Sequence, residues 1–266
     1  GMANEYVNFY RSGSVRGHRF NAKPFVTIPL VSSGAYITPK LSYQYTQYLL
    51  DNQTAGLSKN ITRGLPIASI DTGLFFEKEF KFGDSNFLHT IEPRAFYLYI
   101  PRTGQEDIPI FDTALNDFTF NSLFREFSFS GIDRIQNANQ VSVGLTSRLI
   151  DSDTGTEYLK FGIGEIFYFQ DRTAQLPGAA IETRSLSNMV TELSGRFNEH
   201  VSFSTGLQWD PYADNRRFTR GHARLQFINQ PEQIINIGYQ YRQNELIQSD
   251  VSFRWPIYDN WYGVGR

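Results

Sequence analysis

The stretch Val201-Ser202-Phe203-Ser204-Thr205-Gly206-Leu207-Gln208-Trp209 decides the fold class. The larger, mostly apolar side chains stand at every second position, and serine, glycine and glutamine fill the positions between them. Successive side chains of a β-strand point to opposite faces. The stretch therefore predicts a strand with one apolar wall and one small polar wall.

Strand-like runs recur along the whole chain, and several repeat the same alternation. They lie at 16–30, 35–49, 70–77, 88–100, 140–150, 158–170, 188–198, 222–227, 235–242 and 251–255. We expect about ten to twelve strands of roughly 8–12 residues, which is the length that a tilted strand needs to cross a membrane. Helical periodicity is nearly absent, so the fold class is all-β, with antiparallel strands joined as a meander.

The connections between these runs are of two kinds. Short polar turns are predicted at Asn198–His200, Asn229–Pro231 and Asp151–Gly155, and long connections at 50–66, 101–138, 170–187 and 210–219. Short turns at one rim and long loops at the other are typical of outer-membrane barrels. We therefore expect residues 1–266 to form part of one large outer-membrane β-barrel, with a long inserted loop at about 101–138.

The composition supports a sheet and excludes several classes of protein. Aromatic residues make up 15% of the chain, and they cluster near predicted strand ends, as in the interfacial girdles of barrels. These clusters are Phe167–Phe169, Trp209 with Tyr212, and Trp255, Tyr258, Trp261 and Tyr262. A soluble β-sandwich core also uses aromatics, but the strand length favours the barrel. The net charge of −2 gives no basic field for nucleic acid.

No pattern in the sequence indicates catalysis. The four histidines, His18, His89, His200 and His222, include no pair with metal-ligand spacing. The acidic run Asp151–Glu157 is interpreted as a hairpin turn and not as a calcium loop. We expect no catalytic residue, no metal and no cofactor, and hence no enzyme; an outer-membrane hydrolase remains a third hypothesis behind a transporter and a porin.

The predicted loop 101–138 is unusual because it is both long and apolar. Its apolar side chains are Ile108, Ile110, Phe111, Leu115, Phe118, Phe120, Leu123, Phe124, Phe127 and Phe129. A loop this apolar is expected to be buried, either in the barrel lumen or against a partner. Charged groups taken from water need partners, so some of Asp112, Arg125, Asp133 and Arg134 are expected to form ion pairs.

The sequence at this loop resembles the LptD family of outer-membrane lipopolysaccharide-assembly proteins, also called organic solvent tolerance proteins. The motifs that carry the resemblance are Glu92-Pro93-Arg94, Tyr97-Leu98-Tyr99-Ile100-Pro101, Phe111-Asp112-Thr113, Leu123-Phe124-Arg125, Ser130-Gly131-Ile132-Asp133-Arg134-Ile135 and Gly144-Leu145-Thr146-Ser147-Arg148. One departure is visible: Glu126-Phe127-Ser128-Phe129 stands where the family often has a basic and polar stretch.

The resemblance implies a function, partners and a location. It implies the wall of a translocon in the outer membrane of a Gram-negative bacterium, which inserts lipopolysaccharide into the outer leaflet. It also implies a plug lipoprotein of the LptE type and periplasmic bridge proteins reached through a domain outside this stretch. The candidate residues for contact with the partner or the lumen are Arg94, Asp112, Phe124, Arg125, Asp133 and Arg134, and those for the lumen face are Gln208, Gln240 and Arg242.

Periodicity alone does not separate this transporter from a passive porin or uptake channel, which is the alternative. A porin is expected to carry charged residues on a constricting loop, whereas 101–138 is largely apolar. We also expect the chain to cover an interior and later part of the barrel, without the first and last strands and the gate between them. By itself it should then be an open curved sheet, an oligomer or a detergent-bound species, because open strand edges are costly in lipid and prone to pairing in water.

Overall fold

The computed structural model describes residues 1–213, 217–229 and 232–266. Fifteen strands form one antiparallel sheet. They are β1 (Met2–Phe9), β2 (Arg16–Thr27), β3 (Leu30–Val31), β4 (Ala35–Asp51), β5 (Asn60–Leu74), β6 (Phe76–Phe82), β7 (Ser85–Ile100), β8 (Ala138–Asp151), β9 (Glu157–Tyr168), β10 (Met189–Arg196), β11 (Val201–Trp209), β12 (Phe218–Asn229), β13 (Gln233–Arg242), β14 (Leu246–Tyr258) and β15 (Trp261–Gly265).

The sheet is a simple meander, because each long strand pairs with the next one along the chain. The short strand β3 pairs with β4, and β6 continues β5 along the edge of β7. No ladder among the described residues joins β1 to β15, so the sheet is open. The predicted all-β antiparallel meander and its incomplete closure are confirmed.

The predicted number of strands was too low, the predicted length was too short for β4, β5, β7, β8 and β14, and one predicted connection was wrong. Strand β4 has 17 residues and β7 has 16, and the predicted loop 50–66 ends earlier because β5 begins at Asn60. Gly64 and Pro66 are turn-forming residues that hid this strand in the sequence. In the sheet, Gly64 faces Tyr45 and leaves room for the ring of Tyr43, whose Oη would lie 2.2 Å from a Cβ at that glycine.

The predicted long connections all follow strands that end at one rim, here called the long rim, which is where β1, β4, β7, β9, β11 and β13 end. The predicted short turns follow strands that end at the other, the short rim, which is where β2, β6, β8, β10, β12 and β14 end. The rule is not strict, because 243–245 at the long rim is shorter than 28–34 at the short rim. Within the predicted turn Asn229–Pro231, residues 230 and 231 lie outside the described residues, as do 214–216 of the predicted loop 210–219.

Residues 101–137, here called the crossing segment, leave β7 at the long rim, fold over one face of the sheet and return to β8. We call the face that this segment contacts the inner face. The segment contains a 3-10 helix, Phe120–Phe124, which begins after a capping box formed by Thr119 and Ser122. Among the residues that the structure describes, no helix is both long and apolar enough to cross a membrane.

The two faces of the sheet differ in chemistry. Along the inner face, the polar side chains of Arg19, Gln44 and Arg63 are each at most 2% exposed, because the crossing segment covers them. The outer face is apolar and open, and Leu41 and Val251 there are 62% and 54% exposed. A monomeric soluble protein rarely shows so continuous an apolar surface, which marks a lipid or protein contact.

Candidate functional site

The crossing segment is fixed to the inner face first by a buried charge cluster, here called the buried anchor. Its centre is Arg19 on β2, whose Nη1 donates to Asp112 Oδ1 at 2.8 Å and to Asp133 Oδ1 at 2.6 Å. Its Nη2 donates to Asp112 Oδ2 and to Glu5 Oε1, each at 2.7 Å. The hydrogen bonds from Arg19 hold the pKa of the Asp112 carboxyl below its usual range, so this carboxylate stays charged and paired at neutral pH.

Asp133 is the inner member of the buried anchor, and its side chain is fully buried. Its Oδ1 also accepts from the Tyr48 hydroxyl at 3.1 Å, and its Oδ2 accepts from the backbone N–H groups of Phe111 and Asp112 at 2.8 and 3.0 Å. A buried carboxylate is tolerated only when such bonds replace its water shell. Asp133 therefore ties two separate parts of the crossing segment, residues 111–112 and residue 133 itself, to β2 and β4.

Two further arginines bind the part of the crossing segment that leads back to β8. Arg63 on β5 donates to the backbone carbonyls of Ile132 and Asp133 and, at 2.8 Å, to Gln105 Oε1. Arg134 donates to the carbonyl of Gln105, and burial lowers the pKa of its guanidinium. These bonds satisfy backbone groups that a loop buried under a sheet would otherwise leave unpaired.

A second contact, here called the lysine clasp, holds the middle of the segment. Lys23 on β2 and Lys40 on β4 each place Nζ 2.7 Å from a different carboxylate oxygen of Glu126. Burial raises the pKa of Glu126, but the hydrogen bonds from the two lysines and their positive charges together lower it by more. The pKa of Glu126 therefore lies below the usual range. Lys23 also sits over the ring of Phe127, with Nζ 4.3 Å from the centroid.

A third contact seats the 3-10 helix in what we call the glycine trough, formed by Gly144, Gly162 and Gly164 on β8 and β9. Gly144 and Gly164 are directly opposed in the ladder. A Cβ at Gly144 would lie 2.7 Å from Phe124 Cζ, and one at Gly164 would lie 2.6 Å from Leu123 Cδ1. The glycines are thus the space into which these apolar side chains fit.

The fourth contact, here called the arginine latch, ties the segment to the distant strands β12 and β13. Asp117 Oδ1 accepts a hydrogen bond from Arg220 on β12 and another, at 3.3 Å, from Arg242 on β13. A cavity of about 180 Å³ lies beside these three residues, and Gln208 and Gln240 line it. The three residues predicted for the lumen, Gln208, Gln240 and Arg242, therefore share the face that the crossing segment contacts.

Of the six residues predicted for partner or lumen contact, three bind the sheet, one belongs to it, one binds within the crossing segment and one stands apart. Asp112 and Asp133 belong to the buried anchor, and Arg134 binds Gln105 of the same segment. Phe124 sits in the glycine trough under the guanidinium of Arg94 on β7, which is 4.2 Å from the ring centroid and donates from Nε to Asp71 at 2.9 Å. The expectation that some of the loop's charged residues form ion pairs is confirmed for Asp112 and Asp133, which both pair with Arg19 on β2.

Arg125 is the exception among the predicted residues. Its side chain is exposed and forms no ion pair with the described residues. It lines a cavity of about 510 Å³ between the crossing segment and the sheet, together with Lys40, Asp71 and Glu126. Arg125 therefore borders open space between the crossing segment and the sheet.

Sequence reasoning missed the residues of the sheet that receive the segment. Arg19 and Arg63 are arginines at positions that the alternation of β2 and β5 places on the same face as the buried side chains of Asn21, Leu65 and Ile67, and this signal could have been used. Glu126 was interpreted only as a departure from the family pattern, although it is the acidic partner of two lysines. Asp117 carries no local signal, because its arginine partners lie more than a hundred residues away.

The described residues contain no group of three or more His, Cys, Asp and Glu side chains that could hold a metal ion. His89 meets a serine hydroxyl, since its Nε2 lies 2.9 Å from Ser147 Oγ. Within the described part of the chain, no carboxylate hydrogen-bonds this imidazole, so the arrangement lacks the third member that orients the base of a catalytic triad.

Comparisons with known proteins agree on one family. The family described as LptD: LPS transport system D matches residues 1–261. The LPS-assembly protein LptD of Nitrosococcus oceani is 39% identical over 264 residues, which are 98% of this chain and 36% of that protein. The protein of the same name from Aromatoleum aromaticum is 38% identical over 270 residues, which are 100% of this chain and 34% of that protein. This chain spans about a third of the length of these relatives.

Proposed function

This chain belongs to the LptD family, and from that premise we propose that it forms part of the outer-membrane wall through which lipopolysaccharide reaches the outer leaflet. In this role the protein provides a path for lipopolysaccharide and carries out no bond chemistry. An amphiphile with a hydrated sugar headgroup and acyl chains needs a polar surface beside an apolar one. The two faces of this sheet differ in that way.

The observation that carries the proposal is the polar inner face beyond the crossing segment. Gln226 Nε2 donates to Asn236 Oδ1 at 2.8 Å, and Asn236 Nδ2 donates to Ser252 Oγ at 3.3 Å. These amides and hydroxyls run across β12, β13 and β14 and continue to Gln240 and Arg242. Such groups offer a sugar both donors and acceptors of hydrogen bonds. We propose that this surface lines the lumen.

The proposed orientation follows from the two rims. Outer-membrane barrels have short turns on the periplasmic side and longer loops outside the cell. The long rim then faces outward, and the crossing segment enters the lumen from the outer side. The exposed aromatic residues Phe169 and Tyr212 at the long rim, and Tyr258 and Trp261 at the short rim, suit the two membrane interfaces of a Gram-negative outer membrane.

The path is tested with a photo-reactive amino acid at two adjacent positions of β13 in the full-length protein. Gln240 faces the inner side and Tyr239 the outer side. We expect adducts with lipopolysaccharide at Gln240 only while newly made lipopolysaccharide is supplied, because the path empties afterwards. Adducts at Tyr239 should persist, because resident lipid contacts the outer face. Adducts at Gln240 that do not depend on supply would contradict the proposal.

We also propose that the exposed side of the crossing segment meets a plug lipoprotein of the LptE type, and that periplasmic bridge proteins are met by parts of the relatives outside the matched third. The cavity beside Arg125 supports the first statement, because it is open, lies next to a fixed segment, and combines charged side chains with phenylalanine rings. Removing residues 106–130 from the full-length protein is expected to weaken co-purification of the lipoprotein. The deletion also removes Asp112 and Glu126, so a point variant is the sharper test.

The point variant is Arg125→Glu, with Arg102→Glu as its control. Both arginines are exposed on the crossing segment, but Arg102 does not line the cavity. We expect R125E to lower the amount of co-purified lipoprotein several-fold and R102E to leave it unchanged. Equal recovery with R125E and with the wild type would exclude Arg125 as a contact.

The alternative function is a passive porin or uptake channel. A porin is expected to present charged residues of its constricting loop to the pore. Here Asp112, Asp133 and Glu126 face the wall, where Arg19, Lys23 and Lys40 neutralise them. Steady single-channel conductance of the full-length protein in the presence of its lipoprotein would favour the porin instead.

A further inference from the structure

The arginine latch contains an unusual pair of like charges. Arg220 and Arg242 are directly opposite each other in the ladder between β12 and β13. Like charges at opposed positions of an antiparallel pair repel each other. Asp117 lies between them and supplies a shared counter-ion, since its Oδ1 accepts from both guanidinium groups. Arg242 has a second carboxylate partner, because its Nη1 also donates to Glu245 Oε2 at 3.1 Å. The pair is therefore a site that requires an anion.

The anion that now fills the site is held weakly by comparison with the buried anchor. The side chain of Asp117 is 65% exposed, and those of Arg220 and Arg242 are 33% and 40% exposed. In the buried anchor the corresponding values are 1% for Arg19 and 0% for Asp133. Exposed ion pairs contribute little to stability and are screened by salt. An external anion can therefore replace Asp117, whereas the buried anchor stays closed.

The surroundings of the latch supply further hydrogen-bonding groups. The adjoining cavity of about 180 Å³ is lined by Gln208, His222 and Gln240, and it is far larger than the roughly 10–15 Å³ that one water molecule needs. Gly206 makes room for the imidazole, because a Cβ there would lie 2.4 Å from His222 Cε1. Two carboxylates besides Asp117 oppose a further negative charge: Glu192, which lines the cavity, and Glu245, which pairs with Arg242.

We propose that the arginine latch is a phosphate-binding site, in which a phosphate group takes the place of the Asp117 carboxylate between Arg220 and Arg242. A phosphate offers three oxygens and up to two negative charges, and guanidinium groups bind such oxygens in pairs. Binding would free the part of the crossing segment near Asp117 from β12 and β13. The buried anchor, the lysine clasp and the glycine trough would keep the rest of the segment on the sheet.

The phosphate can be carried by a lipid headgroup or be free in solution, and only the lipid source rests on the proposed function. The first arm therefore titrates inorganic phosphate into the purified full-length protein in detergent, with binding measured by calorimetry. We expect D117N to bind phosphate about three- to tenfold more tightly, because the competing carboxylate is gone. We expect the double variant R220Q/R242Q to bind at least about tenfold more weakly, because both charged donors are lost.

The matched control is Arg224→Gln. Arg224 lies on β12 and on the same face as Arg220, opposite Ser204, but it does not line the cavity. This variant should bind phosphate as the wild type does. If phosphate binds R220Q/R242Q as tightly as the wild type, the proposal is overturned. If D117N does not fold, as judged by heat-dependent gel mobility, the two single variants R220Q and R242Q decide the question.

The second arm compares lipopolysaccharide with the same lipopolysaccharide after its phosphates have been removed. If the phosphorylated form binds more tightly, and this binding depends on Arg220 and Arg242, the result supports a lipid headgroup as the source of the phosphate. If only inorganic phosphate binds, the result supports the free ion. The first arm involves no transport. If no supply-dependent adducts form at Gln240 but phosphate still binds, the proposed function is contradicted and the phosphate site is retained.

Discussion

At the scale of single residues, the crossing segment depends on charges whose partners are fixed by burial. Arg19 is shared by three carboxylates, and Arg63 and Arg134 bring the compensating positive charge close to Asp133. Such a cluster gains little over an apolar core of equal volume, but removal of one member leaves the others unpaired. The free energy lost when one member of the cluster is substituted is therefore much larger than the net free energy that the intact cluster contributes to stability.

The substitution Asp133→Asn should destabilise the full-length protein by about 3–5 kcal/mol, because Arg19 would lose its buried carboxylate. Urea unfolding in detergent measures this loss. The control is Asp107→Asn, since Asp107 is an exposed carboxylate on the same segment, and its removal should cost less than about 0.5 kcal/mol. A loss below about 1 kcal/mol for D133N would show that the buried anchor does not hold the segment.

The lysine clasp should respond to acid. The pKa of Glu126 lies below its ordinary value of 4.5 in the folded protein, so its contribution to stability is fully present above about pH 4.5 and is lost as the pH falls through the lower folded value. Hydrogen exchange of the backbone around Glu126, compared between pH 6 and pH 3, should show the segment loosening.

The control for this titration is Glu126→Gln, which cannot change charge. Because Asp112 and other carboxylates titrate in the same range, the relevant quantity is the difference between wild type and E126Q. We expect exchange in E126Q to be faster already at pH 6 and less dependent on pH. An identical pH dependence in the two proteins would assign the acid response to other groups.

At the scale of elements, the glycine trough decides where the 3-10 helix sits. Gly144→Ala adds one methyl group, and the nearest atom, Phe124 Cζ, would then be only 2.7 Å away. Overpacking of this kind typically costs about 1–3 kcal/mol. The control is Gly104→Ala on the same segment, where the nearest atom to a Cβ is 3.5 Å away and the cost should be near zero.

The readout for the trough is the combination of urea unfolding and tryptic cleavage after Arg125, which follows the 3-10 helix directly. We expect G144A to be both less stable and cleaved faster, whereas G104A should match the wild type. Faster cleavage without a loss of stability would mean that the helix is seated by contacts other than the trough.

The sequence predicted some strands well and others poorly. Period-two alternation predicted β11 to β14 and which side chains share a face, because each of those strands holds only one glycine or proline within a long alternating run. It failed for β5, where Gly64 and Pro66 imitate a turn. The length and apolarity of the crossing segment predicted that it would be buried, but not where. Its ion pairs join residues as far apart as Arg19 and Asp133, and a local pattern does not encode such pairs.

At the scale of the whole molecule, the sheet is open and its outer face is apolar, so the chain expressed by itself should not behave as a compact soluble monomer. The edge strands β1 and β15 are not paired with each other, and unpaired edges associate in water. Light scattering after gel filtration should show oligomers without detergent, or a detergent-bound species with it. A compact, detergent-free monomer would contradict this expectation.

The crossing segment also sets the order in which the molecule can fold. Its hydrogen bonds join residues 114 positions apart at Arg19 and Asp133, and 125 positions apart at Asp117 and Arg242. Contacts between residues so distant in the chain form slowly, because a large loop must close before any bond compensates for it. The arginine latch cannot form until β13 has been placed, and the glycine trough cannot receive the 3-10 helix until β8 and β9 have paired. Until β8 and β9 have paired, the phenylalanines of that helix remain exposed, and a molecular chaperone that shields this one segment would protect the whole assembly pathway.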